Sequence, residues 1–353
     1  MATTFHIVQR MAPGGIESIV LDLARLDPDV RVVSLESDRA SLVKAWPPLA
    51  VLGERLITLS KPEGLTPGLW LSLAALFRIH DVRAIVTHHI GPLVYAGIAA
   101  VAARVKRRIH VEHDGWHYAG AKRRILARMI EKIVAPRRVA VSSVTAGQVA
   151  NALGTLRQTV IPNGVDLERF RLRSRHKACQ RFGLPENRKL IGLVGRLEHV
   201  KGQDVLIDAL GRLDRTTHLV LAGDGSTRAT LAAQVLALGL SERVHFMGSI
   251  SEPEALYPAF DVFCLPSRAE GFPRTLIEAQ ACDIPVVACD VGGAKEAVCP
   301  STGRLVPAER PDLLAEALTQ TLEMPSAVSP RQFVDPTFSN AIMVDRYRAL
   351  IDA

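Results

Sequence analysis

The chain has 353 residues, 48% of them hydrophobic and only 5% aromatic, with a net charge of +7 at neutral pH. That length suits two domains, each with a sizeable core of Val, Leu, Ile and Ala. No apolar run reaches the roughly 18–20 residues of a membrane span, no basic n-region with an apolar h-region opens the chain, and the cysteines lack the C-x2-C spacing of a zinc site.

From the N-terminus, a strand at Phe5–Val8 leads to Gly14-Gly15-Ile16-Glu17, which opens an amphipathic helix through Ala24. Further strands are predicted at Arg31–Leu35, Ala84–Thr87, Ile109–Glu112 and Val139–Val141, with helical patterns between them. Strands alternating with helices of about 10–15 residues mark a doubly wound parallel sheet. Gly15 permits close backbone approach to a ligand. His113-Asp114 follows a strand end, where an imidazole can contact a sugar or an Asp can cap the next segment. His88 and His89 could form an acceptor wall, but the structural reading is preferred for them. Pro162-Asn163-Gly164-Val165-Asp166 is a turn closing the first domain, and the polar, basic run Arg169–Arg188 is the connection.

A second series of strands is predicted at Leu190–Val194, Leu219–Ala222, Val244–Met247, Asp261–Leu265 and Pro285–Ala288, and a last helix at about Ser339–Ile351. All five cysteines (Cys179, Cys264, Cys282, Cys289, Cys299) fall in this half, mostly within apolar runs. Odd in number, they read as core residues of a reduced, cytosolic protein. The fold class is α/β: two Rossmann-like domains, 1–165 with the terminal helix 339–353, and 166–338.

Ligands bind at the carboxyl ends of parallel strands, and three segments there carry chemistry. Gly195-Arg196-Leu197-Glu198-His199-Val200-Lys201-Gly202 follows the first strand of the second domain, and its two cations can hold a diphosphate. Leu221-Ala222-Gly223-Asp224-Gly225 is a second strand-end glycine turn, a weak signal by itself. The third is Glu270-Gly271-Phe272-Pro273-Arg274-Thr275-Leu276-Ile277-Glu278, read as strand, loop and helix N-terminus. Pro273 is placed at the first helical position, and the free amides behind it suit a phosphate. Two carboxylates eight residues apart do not match the roughly 5 Å or 6.5–9.5 Å pairs of glycoside hydrolases, since eight helical residues rise about 12 Å.

Gly14-Gly15 with Glu17, His113-Asp114, Pro162–Asp166, Gly195-Arg196 with Lys201-Gly202, Gly223-Asp224-Gly225 and the E-x7-E segment, in that order, resemble the motif series of the retaining GT-B glycosyltransferases of family 4. The resemblance spans essentially the whole chain and is sharpest from Gly192 to Glu296. It implies two domains facing each other across a cleft, a UDP- or GDP-linked nucleotide-sugar as donor, a saccharide or lipid-linked acceptor, a role in bacterial cell-surface polysaccharide synthesis, and no cofactor or metal. By that likeness Arg196 and Lys201 hold the donor diphosphate, and Glu278 takes the ribose hydroxyls. Glu270 with the backbone of Gly271, Phe272 and Pro273 contacts the donor sugar, the amides of Thr275 and Leu276 meet the phosphate, His113 lies against the sugar, and His245 with Phe246 meets the nucleobase. The proposed catalytic set is Glu270, His113, Arg196 and Lys201. Arg274 departs from the family pattern, where Asn is common. A nucleotide-sugar epimerase of the same fold and a non-catalytic nucleotide-sugar binder are the rival readings; a dehydrogenase is disfavoured because Gly14-Gly15 is not G-x-G-x-x-G.

The positive charge is local. Between Arg104 and Arg138, eleven Lys and Arg face only Glu112, Asp114 and Glu131, a net +8. Within this stretch Ile125, Leu126, Met129, Ile130, Ile133 and Val134 share one helical face. A basic amphipathic helix suits an anionic membrane surface rather than nucleic acid. The expectation is a cytoplasmic protein, peripheral at the inner face of the membrane. The alternative is an apolar face packed wholly on the sheet.

Overall fold

The structure is a computed structural model and describes residues 3–154, 157–324 and 328–353. The chain divides into two compact units, residues 1–164 with 340–353, and residues 165–339.

The first unit holds a seven-stranded sheet of β1 (Thr4–Val8), β2 (Val30–Ser34), β3 (Leu56–Thr58), β4 (Ala84–His88), β5 (Arg107–Glu112), β6 (Arg137–Ala140) and β7 (Gln158–Val160), in the order β3-β2-β1-β4-β5-β6-β7. Every pairing is parallel. β1 and β4 are buried at every residue, as strands covered on both faces must be. The second unit holds β8 (Lys189–Val194), β9 (Thr217–Ala222), β10 (Val244–Gly248), β11 (Val262–Leu265), β12 (Val286–Cys289) and β13 (Arg304–Val306), also all parallel, in the order β10-β9-β8-β11-β12-β13. Both domains are thus Rossmann-like. Strand order reverses between β1 and β4 in one and between β8 and β11 in the other, and these switch points open a crevice at the strand carboxyl ends.

Short aliphatic side chains build the cores. Ile191, Leu193, Leu219, Leu221, Val262 and Val287 from the second sheet meet Leu206, Ile207 and Leu210 of the helix Gln203–Leu210. All five cysteines are buried and unpaired, and burial raises the Cys264 and Cys282 thiols. The terminal helix Asn340–Asp352 packs in the first unit, where Arg348 bonds Asp27 at 2.9 Å and Arg83 pairs with Asp352 at 2.8 Å.

Two expectations about the basic helix change. Ala121–Val134 is a helix, but only Ala127, Ile130 and Val134 are buried; Ile125, Leu126, Met129 and Ile133 are 58%, 40%, 57% and 51% exposed. The apolar face is wider than the surface that covers it, so packing takes one edge and leaves the rest in solvent. Arg138 is not a surface cation: it is 2% exposed and ion-paired with Glu112 and Glu131. Among the described residues no helix is long and apolar enough to cross a membrane.

Candidate active site

In the second unit the loops after β8, β9, β11 and β12 meet at the carboxyl ends. Gly223, in the loop after β9, has φ +141, and a Cβ there would lie 1.9 Å from the Gly195 carbonyl. That contact explains the glycine turn. Leu197 N–H donates to the Asp224 carbonyl at 2.9 Å, which locks the Arg196 loop against its neighbour. Arg196 is exposed at the rim. A single turn His199–Lys201 then ends at Gly202, in the left-handed region at φ +68.

The loop after β11 closes on this turn. Arg268 N–H donates to the Val200 carbonyl at 2.8 Å, while its guanidinium binds Asp204 at 2.7 Å and Glu309 at 2.5 Å. This brings Lys201 Nζ to 2.6 Å from Glu270 Oε1. Ser267 Oγ donates to the same oxygen at 2.6 Å. Glu270 is 8% exposed and Ser267 fully buried. From below, Gly292 presses on the loop: at φ +53 its Cβ would fall 1.7 Å from the Glu270 carbonyl. The carboxylate is therefore held at the β8/β11 switch point by one cation and one hydroxyl.

The following helix spans Arg274–Ala281. Pro273 is its cap, at φ −79 and ψ 106, and not its first helical residue. The proline ring sets φ, but ψ stays extended, so the helix starts one residue later than predicted. Leu276 N–H reaches the Pro273 carbonyl at 3.3 Å, which leaves the Thr275 amide better placed for an anion. Glu278 lies on the buried side, with Tyr257 Oη donating to its Oε2 at 2.8 Å and Arg274 Nε 3.8 Å from Oε1. Burial, and then Glu278, push the Tyr257 phenol well above its ordinary range, so it remains a donor at any working pH. The Arg274 that departs from the family pattern thus packs against Glu278.

On β10, His245 Nε2 contacts His218 Nδ1 of β9 at 3.0 Å, and the rings stack. Phe246 carries the Arg228 guanidinium 3.7 Å from its ring centroid. Successive strand residues face opposite ways, so the two side chains do not share one wall. β10 is an edge strand, which leaves its outer backbone available.

In the first unit Gly15 starts the helix Gly15–Leu26, with open space where a Cβ would stand. His113 lies one residue past β5, half-buried, with Nε2 at 2.9 Å from His88 Nδ1. Burial, followed by His89 and His117, lowers its pKa well below the usual histidine value. Asp114 bonds His117 Nδ1 at 2.7 Å, a side-chain pair; the turn Trp116–Ala119 that follows has Gly115 as its cap and no side-chain cap bond. Sequence reading missed Ser267 and Tyr257. Ser267-Arg268-Ala269-Glu270 carries the S-x-x-E spacing of a local side-chain pair; Tyr257 stands 21 residues before Glu278 and has no local signal. A cavity of about 330 Å³ lined by Lys189, Asp261 and Pro285 lies at the amino-terminal strand ends, away from these groups. Among the described residues no three His, Cys, Asp or Glu side chains gather as metal ligands.

Residues 174–334 match the family described as Glycosyl transferases group 1, and residues 13–169 match Glycosyltransferase Family 4. The chain is 27% identical over 366 residues to a GDP-mannose-dependent monoacylated alpha-(1-6)-phosphatidylinositol monomannoside mannosyltransferase of Corynebacterium glutamicum, covering 96% of this chain and 94% of that enzyme. It is 36% identical over 178 residues to the D-inositol 3-phosphate glycosyltransferase of Mycolicibacterium smegmatis, a match spanning 48% of this chain and 41% of that one. Among solved structures, Anabaena Alr3699/HepE in complex with UDP and glucose superposes with a TM-score of 0.86 at 23% identity over the full length of both chains.

Proposed function

We propose that this chain, which belongs to the GT-B glycosyltransferases of family 4, moves a sugar, with retention of anomeric configuration, from a UDP- or GDP-linked donor to a saccharide or lipid-linked acceptor in the synthesis of bacterial cell-surface polysaccharide. The observation that carries this reading is Lys201 joined to Glu270 at the β8/β11 switch point, beside the exposed Arg196. As the anomeric C–O bond breaks, negative charge grows on the departing diphosphate, and fixed cations at that position stabilise it. In this reading Arg196, Lys201 and the Thr275 amide take the diphosphate, Glu270 and the Gly271–Pro273 backbone hold the donor sugar, Glu278 takes the ribose, and the outer edge of β10 near His245 and Phe246 takes the base. His113 is a polar contact to a sugar. The similar Anabaena protein with UDP and the GDP-mannose-dependent relative support a nucleotide donor; retention rests on the family resemblance.

Mass spectrometry of products from a panel of UDP- and GDP-hexoses, with and without a glycolipid acceptor, tests this. Transfer or slow hydrolysis from one donor class is expected, and EDTA should leave the rate unchanged because protein cations carry the charge. Epimerised sugar formed without any acceptor would reassign the site to an isomerase. Strong dependence on added metal would defeat the cation argument.

The acceptor-side reading includes a membrane. On the helix Ala121–Val134, exposed Ile125, Leu126, Met129 and Ile133 stand among exposed Lys122, Arg123, Arg128 and Lys132. Apolar contacts entering the headgroup region flanked by cations suit anionic lipid, with each cation contributing roughly 1 kcal/mol. Arg124 and Arg128 donate to the carbonyls of Tyr118, Ala119 and Ala152, so the cleaner probes are Lys122, Arg123 and Lys132. Co-sedimentation with liposomes should require anionic lipid, weaken with salt, and fall when these three become Glu. Equal recovery with neutral and anionic vesicles would leave a transferase with a basic face and no membrane role.

A further inference from the structure

Three histidines lie in register across the centre of the first sheet. His6 is on β1, and its strand partner on β4 is Val86, two residues before His88. The partner of His88 on β5 is Val111, two residues before His113. Each step of two keeps the side chain on the same face of the sheet. The rings consequently touch in series: His6 Nδ1 to His88 Nε2 at 3.1 Å, and His88 Nδ1 to His113 Nε2 at 2.9 Å. Adjacent rings lie within 26° and 29° of parallel. His6 and His88 are 1% and 0% exposed, whereas His113 reaches the surface. The inner end stops at the Tyr347 ring, 6.2 Å from His6.

We propose that His88, backed by His6, is a positioning residue that holds the His113 imidazole in one rotation and one tautomer, so that His113 presents a single defined nitrogen, Nδ1, to its ligand. A neutral imidazole has one N–H and one lone pair, and each N···N contact needs one of each. His88 uses both of its nitrogens, so the proton on His113 cannot move between nitrogens unless all three rings change together. Which nitrogen of a histidine carries the proton is set by the bond that the other makes, and here that bond is tied to two more.

The surroundings keep the series neutral. Burial lowers His6 to about 4 and depresses His88 and His113 well below the ordinary value. The charged and titratable groups nearby are His89, His110, His117, Asp27, Glu112, Asp114, Arg138 and Tyr347; Glu112 pairs with Arg138 and lies 3.5 Å from His110 and 3.7 Å from His117. Asp27 acts on His6 only at a distance, Asp114 is engaged by His117, and Arg138 acts on His110. The far end of the series is buried, where the His6 ring meets the Tyr347 ring edge-on. The consequence for catalysis rests on His113 touching a sugar, as proposed above; the tautomer itself does not.

The test is long-range ¹H–¹⁵N NMR on the full chain with ¹⁵N-labelled histidine, with the His113 signals assigned by their loss in His113→Asn. Wild type should show one protonated and one bare nitrogen at His113, unchanged from pH 8 to pH 5.5. His88→Leu should average the two signals and lower kcat about 10–100-fold, the scale for losing a group that orients a functional one, with donor KM little changed. His88→Asn keeps a partner for His113 Nε2 but not the link to His6; because an amide can turn to offer either its oxygen or its NH2, it should hold the ring without fixing the tautomer, and its His113 signals should average. Averaged His113 signals in wild type, a single tautomer retained in His88→Asn, or a titration of His113 with an ordinary histidine pKa would overturn the proposal even if His88→Leu fails to fold; so would a folded His88→Leu that keeps the single tautomer. Loss of the tautomer with undiminished turnover would support the positioning link and remove His113 from the sugar site.

Discussion

Arg196→Ala and Lys201→Ala are each expected to slow sugar transfer about a hundredfold or more, the scale for removing a group that stabilises developing charge, or roughly 2.7 kcal/mol of barrier. The two losses differ in kind. Arg196 is exposed at the loop rim, so on the proposed reading its removal takes charge from the departing diphosphate and disturbs little else. Lys201 is bonded at 2.6 Å to a carboxylate that is only 8% exposed, so its removal also leaves Glu270 with Ser267 as its remaining side-chain partner. A carboxylate so little exposed that loses its cation keeps its desolvation cost without the compensating attraction. Lys201→Ala should therefore be the more damaging, and Lys201→Arg should not rescue it fully, because a guanidinium fork does not replace a compact ammonium. Steady-state rates with the identified donor, together with thermal melts to confirm folding, make the comparison. Near-wild-type turnover in both Ala variants would reject this loop as the diphosphate site; a loss in Lys201→Ala alone would assign the charge to Lys201 and free Arg196 from it.

The two carboxylates of the E-x7-E segment should separate kinetically. Glu278→Ala is expected to raise the donor KM more than it lowers kcat, because the ribose contacts proposed for it would be the same in the ground and transition states. Its Tyr257 and Arg274 partners hold it in place before any donor arrives, which is the behaviour of a binding group. Glu270→Ala should cut kcat instead. It stands beside Lys201, in the proposed reading closer to the reacting bond, and its loss also releases the ammonium it holds. Full kcat and KM determinations on both variants decide between the roles, and the reverse pattern would mean that the two are exchanged.

The sequence by itself determined the fold class and most of the sheet framework. Central strands such as Phe5–Val8 and Leu190–Val194 are short aliphatic runs between helical patterns, because strands covered on both faces need apolar residues throughout. The same logic failed at three of the four sheet edges, β10 being the one it found. Leu56–Thr58, Gln158–Val160 and Arg304–Val306 have three residues each and only partly buried patterns, so they carry no apolar run to detect. Strand-end loops with Gly, Arg, Lys and Glu were also legible, since a loop after a parallel strand must lie at the ligand-binding end. The tertiary structure alone decided how those loops meet. Lys201 and Glu270 are 69 residues apart and Tyr257 and Glu278 are 21 apart; the first contact arises because β8 and β11 are neighbours, a property of strand order and not of local pattern, and the second because the helix after β11 returns to the turn that precedes the strand. The three histidines are likewise scattered in sequence and aligned only by register. The basic helix shows the remaining limit. Its periodicity gave an apolar face, but how much of that face is covered depends on what packs against it: Ile130 and Val134 are buried while Ile125 and Met129 are bare. Periodicity reports the direction of side chains, and burial is set by the partner surface, which only the folded chain supplies.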